Sequence, residues 1–159
     1  MKKITPFLWF NDKAEEAAKF YVSTFANSRI LNVRRDGDRV MSVTFRLDGL
    51  ELTAFNGGPV FKFTEAISLS VDCTSQREVD RLWHRLSKGG RKQRCGWIKD
   101  RYGLSWQIVP SVLAQLLGDR DPAKSERAWR AMLKMGRLDI RKLKRAHRGP
   151  SRSRSGSAG

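Results

Sequence analysis

One pattern of strands, helix and turns occurs twice in this sequence, and it limits the fold more than any other feature. An aromatic and β-branched run, Lys3–Phe10, precedes a helical pattern that reaches Phe25, with Asp12 as its predicted N-cap. Strand-like runs separated by Asp-Gly turns follow at Arg29–Arg35, Arg39–Leu47 and Leu50–Phe55. The order then recurs: a strand at Ala66–Val71, a helix capped by Thr74 or Ser75, and short strands at 91–94, 97–100 and 104–109. Because Leu8 and Phe10 align with Leu69 and Val71, the sequence predicts a duplicated βαβββ unit.

The predicted fold class is therefore α+β, with two βαβββ modules at residues 2–59 and 61–110 and a helical extension at 111–148. Helical patterns in the extension cover Val112–Leu117, Pro122–Met135 and Asp139–His147. Its apolar residues, which are Ala128, Trp129, Met132, Leu133 and Met135, predict that the extension docks rather than extends into solvent. Residues 149–159 contain one alanine and otherwise Gly, Pro, Ser and Arg, which predicts a disordered basic tail.

Composition excludes several classes of protein. The chain has 159 residues, of which 40% are hydrophobic, so it can form a core and is not intrinsically disordered. No apolar run approaches the ~18 residues that a membrane-spanning helix needs. Only two cysteines are present, Cys73 and Cys95, which favours the reducing cytoplasm over a disulfide scaffold. The formal net charge is +16, and the window from Lys134 to Arg154 holds nine cations and one acid.

Several segments resemble one known family in the same order along the chain. They are Ile4-Thr5-Pro6-Phe7-Leu8-Trp9-Phe10, Ala14-Glu15-Glu16-Ala17-Ala18-Lys19-Phe20-Tyr21, Phe55-Asn56-Gly57-Gly58-Pro59, the run from Cys95 to Pro110, and Ala131-Met132-Leu133-Lys134-Met135. These segments are similar to the PhnB-like branch of the vicinal oxygen chelate superfamily, the fold of glyoxalase I and the bleomycin-resistance proteins. This branch is often labelled after 3-demethylubiquinone 3-methyltransferase. The resemblance implies a small-molecule cleft and a homodimer, for which the surface from Trp129 to Met135 offers apolar area.

Strand alternation, combined with this resemblance, selects the residues expected to line the cleft. Phe63 and Trp97 are added as aromatic side chains and Cys95 as a thiol, so the candidate ligand-binding residues are Thr5, Phe7, Trp9, Glu51, Phe55, Phe63, Cys95, Trp97 and Gln107. The positions that hold metal in the superfamily's enzymes fall at Thr5, Glu51, Ala66 and Gln107. Of these only Glu51 is a good divalent-metal ligand, so we predict neither a metal nor another cofactor. Two roles for Glu51 remain open: a cleft carboxylate, or the ion-pair partner of Arg46 or Lys62.

The sequence identifies no catalytic residue. Cys95 has basic neighbours that would favour a thiolate but no nearby histidine, so both a reactive and a structural role are open. Methyl transfer is disfavoured because no Gly-x-Gly segment follows a strand. The favoured function is that of a small-molecule-binding or enzymatic protein with an apolar cleft, and whether it is an enzyme stays open. A ligand-sequestering resistance protein is one alternative. The other is a basic module that binds nucleic acid only through non-specific electrostatics.

Overall fold

The computed structural model describes residues 2–151, and these residues form two compact units. The first unit consists of residues 2–67 and 100–105, and the second of residues 68–99 and 106–151. Residues 152–159, which make up most of the predicted tail, lie outside the described range. Within that range, no helix is long and apolar enough to cross a membrane.

The first unit is a four-stranded sheet with one helix against it. Its elements are β1 (Phe7–Phe10), α1 (Ala14–Thr24), β2 (Ser28–Asp36), β3 (Arg39–Leu47) and β4 (Leu50–Asn56). The strand order is β1-β4-β3-β2, with β1 parallel to β4 and the other neighbours antiparallel. Alternate apolar side chains of β1, β3 and β4 are buried with the inner face of α1, and they leave the opposite face of the sheet open.

The second unit repeats this order and adds helices. Its elements are β5 (Ser68–Cys73), α2 (Gln76–Ser87), β6 (Arg91–Lys92), β7 (Trp97–Lys99), β8 (Ser105–Pro110), α3 (Val112–Leu117), α4 (Pro122–Leu133) and α5 (Ile140–Arg148). The strand order is β5-β8-β7-β6, which is the order of the first sheet. Ser75 caps α2 by accepting a hydrogen bond from the Glu78 amide. The predicted α+β fold with a repeated βαβββ unit and C-terminal helices is confirmed.

Two strand starts and one helix cap differ from the sequence prediction for identifiable reasons. Strand β1 begins at Phe7 rather than Lys3, since Pro6 has no amide proton and contributes only its carbonyl, which accepts from the Thr53 amide at 3.0 Å. Strand β5 starts two residues later than predicted, so that Ala66 precedes it. The predicted cap by Asp12 is wrong, because α1 begins at Ala14 and its N-cap residue is Lys13. The side chain of Asn56 in β4 accepts a hydrogen bond from the Ala14 amide at 2.8 Å instead.

The C-terminal helices pack as predicted, although different residues form most of the contact. Leu113, Leu116, Ala128, Met132, Leu138 and Leu143 form the buried cluster of α3, α4 and α5. Trp129 and Leu133, which sequence analysis assigned to the docking surface, are 49% and 42% exposed. The amides of Cys95 and Gly96 donate to the carbonyls of Met135 and Gly136, both at 2.8 Å, and this pairing joins the helices to the rest of the second unit. A side chain at Gly96 would meet the Ile108 carbonyl at 2.7 Å, so the position requires glycine.

A buried carboxylate holds residues 100–105 in the first unit. Asp100 is 3% exposed and accepts hydrogen bonds from the Tyr21 hydroxyl at 2.6 Å and from the amides of Tyr102 and Leu104 at 2.8 and 3.1 Å. Burial, and then the charge of Asp100, raise the pKa of Tyr21 well above its usual value, so the hydroxyl stays a donor. Asp100 therefore links α1 to the loop that carries Arg101 and Tyr102.

We expect Asp100→Ala to lower the free energy of unfolding by about 2–4 kcal/mol, because it leaves the buried Tyr21 hydroxyl and the loop amides without this acceptor. Urea unfolding followed by circular dichroism measures the change. Asp38→Ala, which removes an exposed carboxylate from the β2–β3 turn, is the matched control and should change stability by less than about 0.5 kcal/mol. Equal effects of the two substitutions would contradict this role of Asp100.

Candidate functional site

The open face of the first sheet carries a row of aromatic side chains. In register, Phe7 lies opposite Thr53 and Trp9 opposite Phe55, while the intervening Leu8 and Ala54 are buried on the helix side. The ring centroids of Phe7 and Phe55 are 5.5 Å apart, and those of Trp9 and Phe55 are 5.2 Å apart. Three of the predicted site residues are thus brought together on one surface.

The indole of Trp9 is fixed by the chain that follows β4. Its Nε1 donates to the Gly58 carbonyl at 2.9 Å, and its ring meets Phe61 edge to face at 4.9 Å. A side-chain carbon at Gly57 would lie 2.2 Å from the indole, so only glycine allows this close approach. The Asn-Gly-Gly-Pro segment therefore fixes the position of the Trp9 indole.

A groove with a volume of about 350 Å³ lies beside Trp9, at the end of β1. On one side Phe10 meets Phe63 and Tyr102 edge to face, at 5.2 and 6.1 Å between centroids. The residues that line it are aromatic, basic or small: Trp9, Phe10, Asn11, Lys13, Phe61, Lys62, Phe63, Arg101, Tyr102 and Gly103. No carboxylate is among them.

Two side chains of the loop 100–105 complete the groove. The guanidinium of Arg101 lies over the Phe20 ring, 4.4 Å from its centroid, which holds this cation beside the aromatic wall. Burial, and then the nearby carboxylate of Glu16, raise the pKa of Tyr102 to about 12, so its phenol remains protonated at neutral pH. The groove thus offers cations and a neutral phenol.

Glu51 lies on the same face of the sheet as Phe7 and Phe55, and an arginine neutralises it. Arg46 is directly opposite Glu51 in the β3–β4 register, and its Nη2 lies 3.6 Å from Oε2 of Glu51. The Glu51 side chain is 13% exposed, while that of Arg46 is 35% exposed. Of the two partners that the sequence offered, the structure selects Arg46.

The remaining predicted residues are distributed between the units. Thr5 is half-buried just before β1 in the first unit. In the second unit, the Gln107 amide donates to the Ser68 hydroxyl at 2.9 Å and Trp97 is half-buried on β7. Cys95 belongs to the packing of the C-terminal helices: its thiol lies 3.7 Å from the Met132 carbonyl, and it contacts the cluster around Leu138.

Sequence reasoning missed Lys13, Phe61, Lys62, Arg101 and Tyr102 as lining residues. The alternation in Phe61-Lys62-Phe63 was a usable signal, since aromatic and basic side chains alternate there immediately after a turn. Nothing in the sequence pairs that segment with Arg101 and Tyr102, about forty residues later.

The side chains at the four positions that the resemblance assigns to a metal do not fit a divalent metal. Thr5, Glu51 and Ala66 in the first unit and Gln107 in the second supply a hydroxyl, one carboxylate, a methyl group and an amide. Nowhere in residues 2–151 do three His, Cys, Asp or Glu side chains form a group that could hold a metal ion. Of the two histidines, His84 is exposed on α2, and Nε2 of His147 lies 2.8 Å from Asp119 Oδ2.

Comparison with known proteins places this architecture in a family. Residues 2–109 match the family model described as 3-demethylubiquinone-9 3-methyltransferase. A PhnB protein of Bacillus cereus, which carries the same description, is 35% identical, with a TM-score of 0.65 over 69% of this chain and 99% of its own. Protein PA1353 from Pseudomonas aeruginosa is 22% identical, with a TM-score of 0.60 over 69% of this chain and 98% of its own.

A search of curated proteins found no match. The family model and the Bacillus cereus structure each cover about two thirds of the chain. Both are described as the family that the sequence motifs indicated. The chain therefore belongs to the PhnB-like, 3-demethylubiquinone-9 3-methyltransferase family.

Proposed function

We propose that this protein binds a small molecule with a flat apolar body and an anionic group, in the groove at the end of β1. The observation that carries the proposal is the lining of that groove, in which five aromatic rings and three cations surround a space with no carboxylate. A volume of about 350 Å³ suits a ligand of one or two fused rings.

The aromatic rings and the cations contribute differently to binding. Burying apolar surface stabilises a complex by about 25 cal/mol per Å², so about 150 Å² of buried ligand surface contributes about 4 kcal/mol. An exposed ion pair contributes at most about 1 kcal/mol. The rings therefore supply most of the affinity, and Lys13, Lys62 and Arg101 select the sign of the ligand's charge.

Binding, rather than methyl transfer, is the activity proposed. The pocket of a nucleoside-bearing methyl donor commonly uses a glycine-rich turn between a strand and a helix. Within residues 2–151, three turns join a strand directly to a helix, at residues 11–13, 74–75 and 111, and none of these contains glycine. The polar lining of the groove is also poor in general bases, since it consists of cations, the Asn11 amide and the protonated Tyr102 phenol.

We further propose that the protein acts in the cytoplasm and without a metal. Cys73 and Cys95 are both unpaired, and burial raises the pKa of the Cys73 thiol to about 12, which keeps it protonated and unreactive. Free thiols suit a reducing compartment. The donor set at the superfamily's metal positions, in which the carboxylate of Glu51 is neutralised by Arg46, supports a metal-independent function.

Isothermal titration calorimetry with naphthalene-2-carboxylate and its neutral analogue, naphthalene-2-methanol, tests the groove. We expect the carboxylate to bind about tenfold more tightly than the alcohol, a difference of about 1.4 kcal/mol. The triple substitution Lys13→Gln, Lys62→Gln and Arg101→Gln should abolish this preference, whereas Phe61→Ala should weaken the binding of both ligands. Lys2→Gln, Lys3→Gln and Arg29→Gln, which remove three exposed cations outside the lining, form the charge-matched control. Equal affinity of the two ligands for the wild-type protein would refute the proposed ligand class.

Metal independence has its own test. Treatment with EDTA should leave the melting temperature unchanged, and elemental analysis of the purified protein should find well under one metal ion per chain, because one carboxylate and one amide displace water poorly from Zn²⁺ or Ni²⁺. Stoichiometric Zn, Ni, Mn or Fe that disappears on Glu51→Ala would return the protein to the metal-dependent members of its fold.

We also propose a homodimer, supported by the exposed apolar pair Trp129 and Leu133, which lie one helical turn apart on α4. Trp129→Glu should convert a dimer to a monomer in multi-angle light scattering at micromolar concentration, because a carboxylate cannot be buried there without a partner. Ile4→Glu, at a residue that is 87% exposed near the N-terminus, is the control and should remain dimeric. A monomeric wild-type protein at physiological salt would contradict the proposal.

A further inference from the structure

The net charge of this protein is carried almost entirely by its second unit. The residues of the first unit include 11 Lys and Arg against 9 Asp and Glu, whereas residues 68–99 and 106–159 include 21 against 7. A surface that merely aids solubility would need no such asymmetry between two units of the same fold. The excess of cations therefore lies on the elements of the second unit.

Helix α5 presents four cations as one stripe, which is composed of Arg141, Lys144, Arg145 and Arg148. Their spacing places them on one side of the helix, and all four are exposed. The opposite side is fixed in the protein: Leu143 is fully buried, and the Arg127 side chain donates to the carbonyls of Ala146 and His147 at 3.1 and 2.9 Å. The stripe is thus held on a helix that is anchored along its length.

A groove with a volume of about 550 Å³ runs beside the stripe. It is lined by Gln76, Asp139, Ile140, Arg141, Lys144 and Arg148. Its one carboxylate, Asp139, caps α5 by accepting from the Lys142 amide at 2.9 Å, and Gln76 is bonded to the Leu138 carbonyl and the Ile140 amide. Among residues 2–151, none of the four stripe cations forms an ion pair. Their charge is available to a partner.

We propose that this stripe binds the phosphate backbone of double-stranded DNA without sequence preference. The stripe extends about 10 Å along the helix axis, since each residue adds about 1.5 Å, and a duplex carries one phosphate charge per about 1.7 Å of its axis. Several phosphates therefore lie within reach of its four side chains. This activity is separate from the small-molecule groove, which lies in the first unit.

Two features favour a nucleic-acid duplex over other polyanions. A helix that binds an anionic membrane inserts an apolar face into the lipid, but the apolar residue at the centre of α5, Leu143, is buried inside the protein. A surface for single strands stacks bases on aromatic rings, and no aromatic side chain belongs to the stripe or lines its groove. A surface of cations without aromatic rings suits a duplex, because the bases of a duplex already stack on one another.

The test is fluorescence anisotropy of a labelled 20-base-pair DNA duplex, titrated with the full chain at several salt concentrations. Four phosphate contacts predict a slope of log affinity against log salt of about −3.6, and the triple substitution Arg141→Gln, Lys144→Gln and Arg148→Gln should reduce its magnitude by about 2.7. At about 100 mM salt the same variant should bind at least tenfold more weakly. Unchanged circular dichroism and melting temperature establish that the variant is folded.

A charge-matched control separates the stripe from the general basicity of the protein. Lys2→Gln, Lys3→Gln and Arg39→Gln remove three exposed cations of the first unit and should leave both affinity and slope unchanged. Equal weakening of both triple variants would overturn the proposal in favour of diffuse electrostatics. So would a loss of binding in Arg152→Gln with Arg154→Gln while the stripe variant still binds. Sedimentation with phosphatidylserine vesicles, without binding to the duplex, would assign the surface to a membrane instead.

Discussion

The buried carboxylate of Asp100 is the interaction on which the first unit depends. It accepts from the Tyr21 hydroxyl and from two amides of its own loop, and the loop is closed further by the Gly103 amide on the Asp100 carbonyl at 2.9 Å. A carboxylate with 3% exposure persists only when its oxygens are saturated with donors. Because the loop is held in this way, Arg101 and Tyr102 meet Phe20 and Phe10, and the groove acquires its second wall.

In the same unit, the alternation of side chains along each β-strand separates the residues of the core from those of the aromatic surface. Alternate residues of β1 and β4 point to opposite faces, so Leu8 and Ala54 are buried under α1 while Phe7, Trp9 and Phe55 are left on the open face. The open face would be a liability if it were only apolar. The ion pair between Glu51 and Arg46 and the hydroxyls of Thr44 and Thr53 keep part of it polar. The face thus carries specific contacts without being the core.

The second unit has the same topology as the first but a different surface. Its sheet has the strand order of the first, yet its surface is dominated by Lys and Arg, and its additional helices pack through Leu138 and Leu143 rather than through Trp129. Cys95, which has a positive φ, lies where the chain pairs with Met135 and Gly136. Duplication of one unit has therefore left one copy with an aromatic groove and the other with a basic helix, and fold alone predicts neither.

The sequence by itself determined the two βαβββ units, the helical extension and the aromatic alternation of β1, because each of these is encoded in short-range periodicity and in Asp-Gly turns. It also offered Arg46 and Lys62 as possible ion-pair partners of Glu51, and the register of β3 and β4 in the structure decided for Arg46. Tertiary structure alone decided the cap of α1 by Asn56, the bond of Asp100 to Tyr21 and the meeting of Phe63 with Phe10. These contacts join residues 42, 79 and 53 positions apart. No local sequence pattern specifies which distant side chain will bond a buried polar group or pack against a ring of the groove.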